Sequence, residues 1–143
     1  MTTDRQRWMA VLARAPLADL AAAAPLLPSY TVLRGPELGL VLLRGRAGGT
    51  GAAFNIGEAT LARCTVRSDA GHVGHAYCLG RDLQQAELAA ALDAGLQDPV
   101  RAPAIAAGVI APLAHAQAEQ RRAVAERAAA TQVQFFTLAT MRS

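Results

Sequence analysis

The chain has 143 residues, enough for one domain with a real core and too few for two. Hydrophobic residues make up 52% and aromatics only 4%, so the interior must be built from Ala, Leu and Val, and an intrinsically disordered chain is excluded. A formal charge of +3 is too small to mark a nucleic-acid footprint, although all 14 basic residues are arginines, whose planar forks suit carboxylates and phosphates. The start, MTTDRQRW, lacks an apolar secretory core, and the apolar stretch PAIAAGVIAPLA is shorter than the roughly 20 residues that cross a membrane. Two cysteines make no disulfide framework. The expectation is a cytoplasmic protein that binds neither nucleic acid nor membrane.

Residues 4–14 place Trp8, Val11 and Leu12 on one helical face behind capping threonines. Pro16 opens a second short helix, LADLAAAA, which Pro25 stops. YTVLR, the turn GPE and LGLVLLRGR then predict a hairpin over residues 30–46. A Gly-rich loop from Arg46 leads to TLARCTVRS, which puts Arg63, Thr65 and Arg67 on one side and Cys64 and Val66 on the other. After the turn DAG comes HVGHAYCLG, with Val73, Tyr77 and Leu79 on one face, making a second hairpin over residues 60–80. Asp82 and Gln85 have capping-box spacing, and Leu88, Leu92 and Leu96 form a stripe up to the stop at Asp98-Pro99. Residues 100–111 are apolar and irregular, and 112–131 form a long Ala-rich helix with only Leu113 and Val124 as large apolar residues. The tail VQFFTL is expected as a strand or extended arm. The fold class is therefore α+β: one domain over 1–143, an antiparallel sheet of two hairpins, flanking helices and a C-terminal extended arm.

The Gly-rich loop can form an anion-binding nest, with Arg44, Arg46 and Arg63 near its base. The phosphate-loop pattern is broken, since Ala52 and Ala53 stand where Lys and Ser or Thr are needed, and no helix pattern follows for a dinucleotide fingerprint. A plain turn is the better reading of these residues. His72, His75 and Cys78, with Cys64 nearby, have three-residue spacing that diverges along a strand, which argues against a metal site. Glu58 and Asp93 are the carboxylates to nominate for acid–base work, but neither has a partner at a telling spacing; a turn residue and a helix-surface residue are expected. No catalytic residue and no metal ligand is assigned.

RQRWMAVLA, RAGGTG, FNIGEATLAR, GRD followed by AE and LDA, IAPL and the closing VQFFT occur in an order and spacing that resemble the PhnG family. Members of this family are subunits of the bacterial phosphonate carbon–phosphorus lyase core complex. The resemblance runs over nearly the whole chain. It implies a part in releasing phosphorus from organophosphonates alongside PhnI, PhnH and the ATPase-like PhnL. Together they displace adenine from ATP by a phosphonate oxygen, giving a ribose 1-phosphonate 5-triphosphate, while PhnJ carries the later radical iron–sulfur step. The resemblance implies an assisting subunit that binds no cofactor itself, ATP being a substrate of the complex, and that has scope to self-associate when isolated.

Its motifs fall on Arg46, Gly48, Gly49, Thr50 and Gly51, on Glu58 and Arg63 of FNIGEATLAR, on Gly80, Arg81 and Asp82, and on Phe135, Phe136 and Thr137. Of these, Arg46, Gly48, Gly49, Thr50, Gly51, Glu58, Arg63, Arg81, Phe135 and Phe136 are the interface or anion-contact candidates. Leu138 stands where the family would have Met, and the four His and Cys residues belong to none of its motifs. Two other readings stay open: a free-standing anion- or nucleotide-binding module, and a small enzyme with Glu58 as base.

Overall fold

The first helix, α1 (Asp4–Ala13), begins at Thr3 in a reciprocal cap. The Thr3 hydroxyl accepts from the Gln6 N–H at 3.1 Å, and the Gln6 side chain accepts from the Thr3 N–H at 2.8 Å. Pro16 precedes α2 (Leu17–Ala22), and a 3₁₀ turn over Ala24–Leu26 delivers the chain to the sheet. The computed structural model describes residues 3–46, 51 and 53–141; the side chains of 46, 53, 55 and 132–141 fall outside that description.

The sheet is an antiparallel meander of β1 (Tyr30–Arg46), β2 (Ala53–Ser68) and β3 (Val73–Leu79), in that spatial order. The hairpin over 60–80 is present, but the one over 30–46 is not: Gly-Pro-Glu lies inside β1, which runs its full length along β2. The first hairpin instead joins β1 to β2 through the Gly-rich stretch. Between Val32 and Glu37 the register slips twice, leaving two extra residues in β1. Because two is even, Tyr30, Val32, Leu38 and Leu40 still share one face. Gly35 takes φ +81° there, before a cis bond to Pro36, and a Cβ on it would lie 2.8 Å from the Arg63 carbonyl oxygen. The Glu37 carboxylate closes the slip by accepting from Arg34 Nε at 3.1 Å and from Arg63 Nε at 2.8 Å.

Helix α3 (Leu83–Leu96), capped where Asp82 accepts from the Gln85 N–H at 3.0 Å, packs across β2 and β3. It is buried almost all round, with α1, α2 and the following helix on its other side. Small residues let the layers close: Ala62, Cys64, Val66, Ala76 and Cys78 from the sheet meet Ala86, Ala90 and Ala94. The approach is tightest at Gly74, where a Cβ would fall on the Ala90 carbonyl oxygen and 2.7 Å from the Ala94 nitrogen. Leu12, Leu20, Leu92, Ile105 and Leu113 complete the core behind α3.

Residues 100–111, expected to be irregular, are mostly helical. They form α4 (Ala102–Ile105) and a π-helical turn over Ala106–Ile110, continuing into α5 (Ala111–Met141). Pro103 sits in the first turn of α4, where no N–H is needed, and the wide turn precedes Pro112. The tail is also corrected: VQFFTL is neither strand nor extended arm, but the last turns of α5. An Ala-rich helix already nucleated adds residues one hydrogen bond at a time, whereas a strand there would need a sheet edge to pair with.

Candidate functional site

α3 covers one face of the sheet, and β3 ends at Leu79, opposite Leu61. Beyond that point β1 and β2 run on alone as a two-stranded ribbon. Its apolar side chains have nothing described over them: Leu40 is 71% exposed, and Leu42, Leu43, Phe54 and Ile56 are exposed too, as is Leu38 at its base. A two-stranded ribbon is marginal by itself in water, and exposed large apolar side chains on both of its faces mark a site of association.

The open face of the sheet grades into this ribbon. Nearest the body it carries the cross-strand rows Thr31–Arg67–Val73 and Arg34–Thr65–His75, then Glu37–Arg63–Tyr77, and then Leu61 beside Leu79. Thr65 Oγ1 and His75 Nδ1 lie 3.0 Å apart. Arg63 and Arg34 hold the Glu37 carboxyl below its ordinary range, Arg63 by the stronger hydrogen bond. An arginine-rich border thus flanks an apolar centre.

The candidates read from the sequence divide between this region and α5. Arg46 ends β1 opposite Ala53, and Gly51 lies in the connection to β2. Gly48, Gly49 and Thr50 lie outside the described residues. Glu58 is exposed on the ribbon opposite Leu42, and Arg63 sits lower, on the open face. Arg81 is exposed in the link from β3 to α3. Phe135 and Phe136 lie on α5, whose side chains from 132 onward are outside the description. The ribbon leucines were missed as functional residues because an apolar strand is ordinarily read as a buried one.

Asp93 corrects the sequence reading, which placed it on a helix surface: it is 0% exposed. Its carboxylate accepts from Arg5 Nη2 at 2.9 Å and Arg5 Nε at 3.3 Å, from Trp8 Nε1 at 2.7 Å, and from the His75 backbone N–H at 2.9 Å. That carboxylate pins α1 and β3 to α3, and hydrogen bonding to it raises the Arg5 pKa. Cys64 and Cys78 face the core while His75 faces the opposite side of the sheet. Burial pushes both thiols up, Cys78 to about 11 with help from Asp82. Among the described residues no group of three or more His, Cys, Asp or Glu is placed to hold a metal ion.

A closed small-residue core under α3, and a projecting ribbon whose Leu40 and Leu42 lie uncovered on that same face while arginines line the open one, define a subunit built for assembly. The family model described as "Phosphonate metabolism protein PhnG" matches residues 3–141, and the chain belongs to that family. It is 44% identical over 138 residues to a protein of Rhizobium meliloti (strain 1021), covering 94% of this chain and 88% of that one. That relative is named alpha-D-ribose 1-methylphosphonate 5-triphosphate synthase subunit PhnG. No helix among the described residues is long and apolar enough to cross a membrane.

Proposed function

We propose that this chain is the assisting subunit of a cytoplasmic ribose 1-methylphosphonate 5-triphosphate synthase, and that it carries no catalytic residue of its own. In this reading PhnI, PhnH and PhnL complete the machinery that transfers ribose 5-triphosphate from ATP to a phosphonate with loss of adenine, and PhnJ joins the same assembly. The chain's part is to hold its partners in their productive arrangement, binding no cofactor, with ATP entering as the substrate of the whole.

The observation that carries the reading is the exposed ribbon of Leu38, Leu40, Leu42, Phe54 and Ile56 in a chain of this family. Such a surface costs free energy in water and gains it when a partner covers it. The positions of Arg46 and Gly51 at the ribbon's far end, with Glu58 along it, support a reading in which the family motif borders a partner's polyphosphate substrate.

The test is adenine release from ATP with methylphosphonate, using purified subunits. The chain alone releases none, the other subunits without it release little, and adding it back restores the reaction. Release by the chain alone, abolished in Glu58→Gln, overturns this reading in favour of a small enzyme. Tight ATP binding by the isolated chain favours a nucleotide-binding module instead.

A further inference from the structure

The two edges of the sheet are treated differently. In an antiparallel sheet every second residue of an edge strand turns its N–H and C=O away from the neighbouring strand. On β3 these are Val73, His75, Tyr77 and Leu79, because the Gly80 N–H donates to the Thr60 carbonyl at 2.9 Å and fixes the alternation. The first two are already occupied. The Val73 carbonyl accepts from Arg5 Nη2 at 3.2 Å and Gln97 Nε2 at 2.6 Å, and the His75 N–H donates to Asp93 at 2.9 Å. With α1 laid along it, this edge is closed to strand addition over its first half.

The β1 edge is the reverse. Even-numbered residues of β2 from Thr60 to Val66 exchange hydrogen bonds with β3, so its odd-numbered residues bond β1. Leu61, Ala59 and Gly57 pair with Gly39, Val41 and Leu43. Leu38, Leu40 and Leu42 therefore point their backbone groups outward, and their side chains are exposed as well. Among the described residues nothing bonds that edge. A long, leucine-rich edge with neither proline nor lysine along this stretch is a template for another strand.

The charges beside it favour one kind of occupant. Arg34 and Arg44 lie on β1, and Arg63 and Arg67 on the adjoining open face, against Glu37 and Glu58. Arg34 and Arg63 share the Glu37 carboxylate, so the four arginines outnumber the two carboxylates by two positive charges. A second copy would set Arg34 and Arg44 against the same arginines on a chain of net charge +3. We infer that the outer edge of β1 at Leu38, Leu40 and Leu42 receives an extended segment of another subunit, apolar at its centre and acidic at its flanks, as a fourth strand of the sheet. The inference rests on the assembly role proposed above and names the element and bonding that carry it.

The experiment compares residue-level amide hydrogen exchange in the free chain and in the complex assembled by co-expression with the other synthase subunits. Strand addition slows exchange at Leu38, Leu40 and Leu42 by at least about tenfold on assembly, while Val41 and Leu43, already bonded to β2, change far less. Leu40→Pro removes one outward N–H without touching the β1–β2 bonds and lowers recovery of the complex by about tenfold, whereas Leu40→Val does not. A complex that forms normally with those three amides unprotected overturns strand addition and leaves the assembly role standing. Absence of any complex with the wild-type chain overturns both. Protection of the same amides in the chain alone, with dimer formation, overturns the heterologous occupant in favour of a second copy.

Discussion

Replacing Asp93 by Ala should be among the most damaging single changes to the fold. The carboxylate is fully buried and accepts four hydrogen bonds from three residues. Arg5 is 39% exposed on its side chain and keeps the Val73 carbonyl, so it recovers most of its loss from water. The Trp8 indole N–H and the His75 N–H, on half-buried residues, both aim at the fully buried carboxylate position. A donor left unpaired there costs about 1–3 kcal/mol, so the pair costs about 3–4 kcal/mol. That falls within the range of about 3–5 kcal/mol found when a buried ion pair loses one member. Arg5→Ala should cost less, about 2–3 kcal/mol, because Trp8 and His75 still bond the stranded carboxylate.

Urea unfolding followed by circular dichroism measures both. With a slope of about 1–2 kcal/mol/M for a domain of this size, Asp93→Ala moves the midpoint down by about 2 M. Asp93→Asn should fall between, since it keeps the volume but turns an amide NH₂ toward donors. A midpoint shift below about 0.5 M for Asp93→Ala, or a larger loss in Arg5→Ala, would refute the reasoning. It would mean that the carboxylate is not what ties α1 and β3 to α3.

Gly74→Ala should lower the melting temperature markedly, because its Cβ would fall on the Ala90 carbonyl oxygen, while Gly57→Ala, with nothing within 4 Å, should not. Overpacking of this kind costs about 1–3 kcal/mol, and equal melting temperatures for the two variants would contradict the close approach of β3 to α3. Cys64 and Cys78 should resist a thiol reagent at pH 8 until the chain is unfolded, since both are buried. Cys78 is an acid whose folded pKa, about 11, lies above the ordinary 9.0, so the unfolded chain ionises first. Stability should therefore fall as pH rises from about 9 toward 11, and Cys78→Ala should flatten that fall; an unchanged slope would count against the thiol.

Much of this protein was legible from local signals. Thr3 with Gln6 and Asp82 with Gln85 mark helix starts because a cap is a contact three residues long. The alternation around Cys64 and the turn at Asp69–Gly71 marked the β2–β3 hairpin for the same reason. The family motifs, read in order, pointed to the family to which the chain belongs.

Tertiary structure alone decided the rest. Gly35-Pro36 has the composition of a turn, yet it became a bulge because β2 was long enough to pair on both sides of it. Asp93 has the look of a surface residue, yet one helix and a strand edge converge on it from positions up to 88 residues away in the chain. Leu40, Leu42 and Leu43 of β1 fit a buried strand by pattern, and they are exposed because β3 stops short of them. Periodicity states which residues share a face. Whether that face is covered depends on where other elements end, and that is a property of the assembled fold.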